Sequence, residues 1–238
     1  MSKVTVLLPV YNNKEDILEA IKSIINQTYK NWQLIIIDDN STDGTNELVS
    51  KYIKNKNNII MIKNNVNRGT YISLNEGLKI ASGDYITVIG SDDRFAATKL
   101  ERQVLILDKR KHVVCVNTMY RRNNLSAIHG DSTIMYRKSI INVIGYYDSV
   151  RFGADSEFFE RIKKVYHMSA IVMLSEILYF AKIRKKSLTR SNITGINHGA
   201  SIRLRYVCQY RLWHKKTLKP YMNYPLTVRP FAIDSIMI

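Results

Sequence analysis

Cysteine is scarce. Cys115 and Cys208 are the only two in 238 residues, and they lie far apart in apolar or mixed surroundings. That excludes a disulfide framework and a cysteine zinc cluster, and it makes a reducing compartment the natural setting. The five histidines, His112, His129, His167, His198 and His214, show no paired metal spacing. Long hydrophobic runs are also missing: the longest, Ser169 to Phe180, is too short for a bilayer span and contains Glu176. No basic-then-apolar leader precedes Val4, so the expectation is a cytoplasmic chain, soluble or peripheral at a membrane surface. There is no internal repeat, low-complexity tract or extended linker.

Acidic residues run short in one region only. Residues 161–238 hold 15 Lys/Arg against 2 Asp/Glu, whereas residues 1–160 hold 21 against 18, so the final third carries +13 of the net +16. Such a segment attracts nucleic acid, anionic lipid or phosphorylated substrates, or is simply a solvated helical face. No helix-turn-helix, zinc or RNA-binding signature accompanies the charge, which weakens the nucleic-acid reading. The 45% hydrophobic content is enough to bury a real core in one large or two small domains.

Val4 to Val10 is a short β-branched run ending near Pro9, which reads as a buried first strand. Ile17, Leu18, Ile21, Ile24 and Ile25 then recur at helical spacing, with Asn13 as N-cap and Glu15 and Asp16 in the first turn. The unit repeats: strand Trp32–Ile37, polar turn Asp38–Gly44, helix Thr45–Tyr52; then strand Asn58–Ile62, helix Ile72–Ala81 and strand Tyr85–Ile89. A helix over Lys99–Leu107 and a strand over Val113–Val116 follow, after which the alternation loosens. Ser156–Val165 has helical character and begins just after Asp155, which fits an N-cap. Alternating strands and helices call for a parallel sheet with ligands at the carboxyl ends of its strands. Tyr11 to Asn13, Asp38 to Ser41, Arg68 and Asp92-Asp93 all fall there.

Six separated segments occur in one order: Pro9-Val-Tyr-Asn12, Asn26-Gln-Thr-Tyr29, Ile37-Asp-Asp-Asn-Ser-Thr-Asp-Gly-Thr45, Asn67-Arg-Gly69, Ser91-Asp-Asp93 and Gly153-Ala-Asp-Ser-Glu157. Together they resemble family 2 glycosyltransferases over roughly residues 3–190. The resemblance implies an inverting, metal-dependent enzyme of the GT-A fold: a Rossmann-like α/β arrangement with a mainly parallel central sheet flanked by helices. Residues 1–110 would form the nucleotide-sugar-binding half and residues 111–190 a smaller α+β acceptor half, with 191–238 as a helical, basic C-terminal extension.

The same resemblance assigns roles. Pro9, Tyr11 and Asp39 would line the nucleoside pocket, with Asn12 and Glu15 beside them and Asp38 bracing the loop. Arg68 would lie near the nucleotide. Ser91 and Asp92 would meet the donor, a UDP-sugar, and Asp92 and Asp93 would hold Mg²⁺ or Mn²⁺, since hard cations prefer carboxylate oxygens. Asp155 would be the catalytic base, with Glu157 as fallback, and Lys182 and Arg184 would approach the diphosphate. The acceptor would be a hydroxyl on a glycan, lipid or protein. Two positions depart from the family: Gly90 and Ala154 stand where acids are usual, which keeps a non-catalytic nucleotide-sugar-binding protein open. Asp38 and Asp39 also fit a polar turn with a helix-capping role, although the buried strand before them and the other motifs favour function for Asp39 and less so for Asp38; Trp213 and the C-terminal tyrosines fit packing as well as sugar stacking. Loops after Gly90 and around Arg121 to Asp131 would select the sugar and the acceptor.

Overall fold

A computed structural model describes residues 1–182, 200–233 and 235–238. Strand β1 (Val4–Val10) is buried everywhere except at Pro9, and β2 (Trp32–Asp38) at all seven positions. Strands this continuously apolar belong inside a sheet covered on both faces. The period-2 alternation divides them: Leu7, Ile35 and Ile37 enter one core, Val6, Leu8, Leu34 and Ile36 the other. Helices α1 (Ile17–Ile25) and α2 (Thr45–Ile53) pack in the second core, α3 (Thr70–Ile80) in the first. β1 lies between β2 and β4 (Tyr85–Val88), with β3 (Ile59–Lys63) beyond β2, all parallel. Val10 pairs with Asp38, so the ends of β1 and β2 deliver their loops level with one another.

Beyond β4 the sheet becomes mixed. Its order is β3-β2-β1-β4-β8-β6-β9-β5, built from β5 (Arg94–Phe95), β6 (Cys115–Arg122), β8 (Met135–Arg137) and β9 (Ile171–Ala181), with β7 (Ile128–His129) hairpinned onto β6. β8 runs antiparallel to both β4 and β6, β9 parallel to β6 and antiparallel to β5. The apolar stretch that was too short for a membrane is thus an eleven-residue strand paired on both edges. The same pairing with β9 carries β6 past Val116, through polar residues that no alternation marks.

Helix α4 (Lys99–Lys109) covers the second core; α6 (Ala154–Tyr166) and α7 (Ala200–Lys216) cover the first, and α5 (Ile141–Ile144) adds a short turn. Tyr206, Tyr210 and Met237 are buried in the first core, so the described C-terminal residues complete the same packing as α3 and α6. Trp213 is 9% exposed and stacks against His214 and Phe231, which makes it a packing anchor. Among the described residues no helix is long and apolar enough to cross a membrane.

Three cap expectations change. Helix α1 starts after Asp16, not Asn13, and its first-turn acid is Glu19; the Asn13 amide instead donates to Ser91 Oγ at 2.9 Å, tying the loop after β1 to the loop after β4. Neither Asp38 nor Asp39 caps α2, because Asp43 accepts from Thr45 N–H at 3.0 Å. Asp155 is inside α6; its N-cap position is Gly153, whose φ of +85° is a conformation that favours glycine.

Candidate active site

The loops after β1, β2 and β4 and the start of α6 converge at one end of the sheet. Asp38 is fully buried: Oδ1 accepts from Ser41 N–H at 3.0 Å and Oδ2 from the Asn46 amide at 3.1 Å. Asp39 is 3% exposed, and its carboxylate gathers the next loop. It accepts from the Asn64 amide (2.7 Å), Arg68 N–H (2.9 Å) and Gly69 N–H (2.7 Å). Both acids therefore shape the loops, and Asp39 holds the Asn67–Gly69 turn at the entrance to α3. Tyr11, Asn12 and Glu15 are exposed on the loop after β1, where Asn12 accepts from Thr42 N–H at 2.8 Å. The Arg68 guanidinium turns outward to Glu76 at 3.4 Å. Arg184 lies outside the described residues.

At the end of β4 the two carboxylates differ. Asp93 Oδ2 accepts from the Tyr179 hydroxyl at 2.6 Å, and Oδ1 from Lys182 N–H at 2.9 Å. Tyr179 also accepts the Gly90 N–H at 3.0 Å. Burial, followed by the neighbouring Asp92 carboxylate, pushes Asp93 up to about 6. A Cβ added at Gly90 would stand 2.5 Å from Asp93 Oδ2 and 3.2 Å from Asp92 Oδ1. The missing side chain at Gly90 is thus the space Asp93 folds into, and any acid there would displace it. The Lys182 ammonium pairs with Asp16 at 2.6 Å.

Asp155 Oδ1 accepts from the Tyr71 hydroxyl at 2.6 Å. Burial and the adjacent Asp155 charge raise Tyr71 well above its ordinary value, so it remains a proton donor in this pair. The fallback base Glu157 is excluded by its place: it is fully buried, paired with Arg161 at 2.6 Å and with His214 Nε2 at 2.9 Å.

Two adjoining cavities are lined by acids from the end of β4 and the start of α6. The first, about 290 Å³, is walled by Pro9, Tyr71, Gly90, Asp93 and Asp155, and on the α7 side by Arg203. The second, about 310 Å³, opens toward Arg122 and His129. Asp93, Asp131, Ser132, Asp155 and Tyr179 line both. Of the residues expected from the sequence, Pro9, Asp93 and Asp155 line these cavities; Tyr11, Asn12, Glu15, Asp38, Asp39, Arg68, Ser91 and Asp92 do not.

Sequence reasoning passed over Tyr71, Tyr179 and Asp131. The two tyrosines had only apolar periodicity to announce them. Asp131 fell in a loop flagged as selective, with no motif of its own. Its carboxylate accepts from Ser156 Oγ at 2.7 Å, and burial, with Asp155 nearby, raises its proton affinity. A second acid therefore reaches the start of α6 from another element, next to the helix position where Ala154 lacks one.

The fold is shared with solved glycosyltransferases. TarS of S. aureus, crystallised with UDP, superposes with a TM-score of 0.67 at 22% identity, over 77% of this chain and 61% of that one. A mannosyltransferase from Pyrobaculum calidifontis, in complex with GDP-Man and Mn²⁺, gives 0.66 at 19% identity, over 83% and 63%. The fold is therefore the GT-A fold, an α/β mixed sheet flanked by helices. The glycosyl transferase family 2 model matches residues 5–206, and the chain belongs to that family. Among curated relatives, the E. coli UDP-Glc:alpha-D-GlcNAc-diphosphoundecaprenol beta-1,3-glucosyltransferase WfaP is 40% identical over 111 residues, 47% of this chain and 43% of WfaP. The match thus takes in less than half the length of that relative.

Proposed function

We propose that this chain transfers a sugar from a nucleoside diphosphate sugar, a UDP-sugar, to a hydroxyl on a glycan, lipid or protein acceptor, with inversion at the anomeric carbon. The observation that carries the reading is Asp155, oriented by Tyr71 in a cavity whose other walls include Asp93 and Pro9. Likeness to WfaP supports a UDP-sugar as donor and a lipid-linked glycan among the candidate acceptors.

In this mechanism Asp155 removes the proton from the acceptor hydroxyl. The acceptor oxygen bonds to the anomeric carbon from the face opposite the diphosphate, and the bond from that carbon to the phosphate oxygen breaks with its electron pair. Tyr71 fixes one carboxylate oxygen of Asp155; the other accepts no hydrogen bond from a described residue. Asp131 lines the same space and offers a second carboxylate to substrate hydroxyls.

Among the described residues no three His, Cys, Asp or Glu cluster as a ready metal cage. The end of β4 offers two carboxylates, hard oxygen ligands that suit Mg²⁺ or Mn²⁺ when donor phosphates complete the shell. Asp92 and Asp93 are the residues that would hold the ion, and Asp93 is already oriented by hydrogen bonds to both of its oxygens. Such an ion would neutralise charge developing on the leaving diphosphate.

Asp155→Asn is expected to lower kcat by about 10²–10⁴ while leaving UDP binding, read by thermal shift with Mn²⁺, close to wild type. A protein that binds UDP but neither hydrolyses nor transfers from any nucleoside diphosphate sugar would instead support the non-catalytic reading that Gly90 and Ala154 raise.

A further inference from the structure

Strand β6 ends on two adjacent arginines, and the geometry of the strand separates them. β6 pairs with β9 as far as Arg122 and Ala181, after a register shift on either side of Met119. Such a bulge re-aims the residues that follow it. Beyond it the alternation of a strand returns, so Tyr120 and Arg122 share one face and Arg121 takes the other. Arg121 is exposed, whereas Arg122 is half-buried and lines the second cavity together with Tyr120.

Arg122 is held in that position. Its guanidinium lies 5.6 Å from the centre of the Tyr120 ring, a cation–π contact. Asp93, Asp131 and Asp155 line the same cavity, yet among the described residues none of them lies within ion-pair distance of Arg122, and no hydrogen bond engages its donors. The acids are engaged already: both oxygens of Asp93 by the Tyr179 hydroxyl and Lys182 N–H, one of Asp131 by Ser156, one of Asp155 by Tyr71. Arginines that hold the fold together behave differently, since Arg161 and Arg229 close on Glu157 and Asp148.

An acceptor entering this cavity of about 310 Å³ displaces water from around that guanidinium. Taking a cation out of water is costly unless a counter-charge arrives with the ligand. A neutral sugar brings none. A carboxylate or phosphate brings one, in the bidentate geometry that the arginine fork matches. The donor diphosphate fits this place less well: Pro9, expected beside the nucleoside, lines only the first cavity, whereas the second runs from Asp155 to Arg122. Resting on the glycosyltransferase reading above, we propose that Arg122 selects an acceptor that carries an oxyanion, a carboxylate or a phosphate, in the same cavity as the hydroxyl that Asp155 activates. Arg122 is then a specificity-determining residue: it binds the acidic group while Asp155 takes the proton.

The test is calorimetric titration of the full chain, saturated with UDP and Mn²⁺ to fill the donor side, with glucose, glucuronate and glucose 1-phosphate. At least one of the two anionic sugars is expected to bind about tenfold or more tighter than glucose, and which one does so identifies the oxyanion. Arg122→Gln should weaken that sugar by about tenfold or more, at unchanged UDP affinity and thermal stability. Arg122→Lys, which keeps the charge and loses the fork, should fall between the two. Glucose binding should be indifferent to either change. Equal binding of all three sugars would overturn the proposal. So would a weaker UDP affinity in Arg122→Gln with unchanged binding of the anionic sugars, which would assign Arg122 to the donor. Absence of UDP binding in wild type would overturn the glycosyltransferase reading itself, and this proposal with it, so one titration series tells the two failures apart.

Discussion

Lys99 is a lysine with no access to water. It is fully buried at the start of α4, and its ammonium donates to Gln103 Oε1 at 2.6 Å and to Thr87 Oγ1 and Thr133 O, each at 3.3 Å. All three partners are neutral, and desolvation lowers the group from 10.5 to about 7. Because the folded value lies below the unfolded one, the unfolded chain binds more protons between about pH 7 and 10.5. Stability from this site therefore rises with pH across that window, and its full cost is present at and below pH 7. Lys99→Met should stabilise the protein near neutrality by about 1–4 kcal/mol, less whatever is lost when Gln103 Oε1 gives up its donor. The checkable signature is the pH dependence: denaturant midpoints of variant and wild type should converge as pH rises from 7 to 10. Nothing in the sequence marks this residue, since lysine at the head of an amphipathic helix is ordinarily on the surface. Asp93 and Asp155, by contrast, were legible, because each sits where a motif meets the end of an element.

Helix α6 shows what element geometry adds to a motif. Asp155 and Glu157 are two residues apart and chemically equivalent as bases on the page. A helix turns about 100° per residue, so two residues apart means opposite sides: Asp155 meets the cavities, whereas Glu157 joins Arg161 one turn on, facing the core. Arg161 also donates to the carbonyls of Ile144 and Tyr146, and His214 of α7 closes on Glu157. The motif that points to the site therefore also pins the end of α7. Burial raises Glu157, but Arg161 and then His214 more than offset it, and the group is held below its ordinary value. Its contribution is present above the unfolded value near 4.5 and is lost as pH falls through the folded value. Glu157→Gln leaves Arg161 buried without its counter-charge, and should cost about 3–5 kcal/mol at pH 7. Equilibrium unfolding should show this loss shrinking in acid, while a purely steric defect would give the same loss at every pH.

Over the whole molecule, legibility follows sequence distance. The first half was readable because each strand, loop and helix is local, so apolar period and turn chemistry agree over about thirty residues. In the second half β5 pairs with β9 and β8 enters between β4 and β6, pairings that no local pattern encodes. The C-terminal stretch is the extreme case: its charge suggested an appendage, but its tyrosines and methionines finish the core around Asp148. Asp148 is fully buried and is reached by Arg229 from 81 residues away and by the Tyr206 hydroxyl at 3.0 Å. Burial raises its carboxyl and Arg229 opposes that rise. In Arg229→Met the opposition disappears, so the folded value moves further above the unfolded 3.8. The folded variant then binds more protons than the unfolded chain between those values, and its stability falls as pH rises through them. The expected loss relative to wild type is about 3–5 kcal/mol at pH 7 and smaller near pH 4, where Asp148 is neutral in the variant. A loss independent of pH would mean that Arg229 acts there only through the packing of its aliphatic stem.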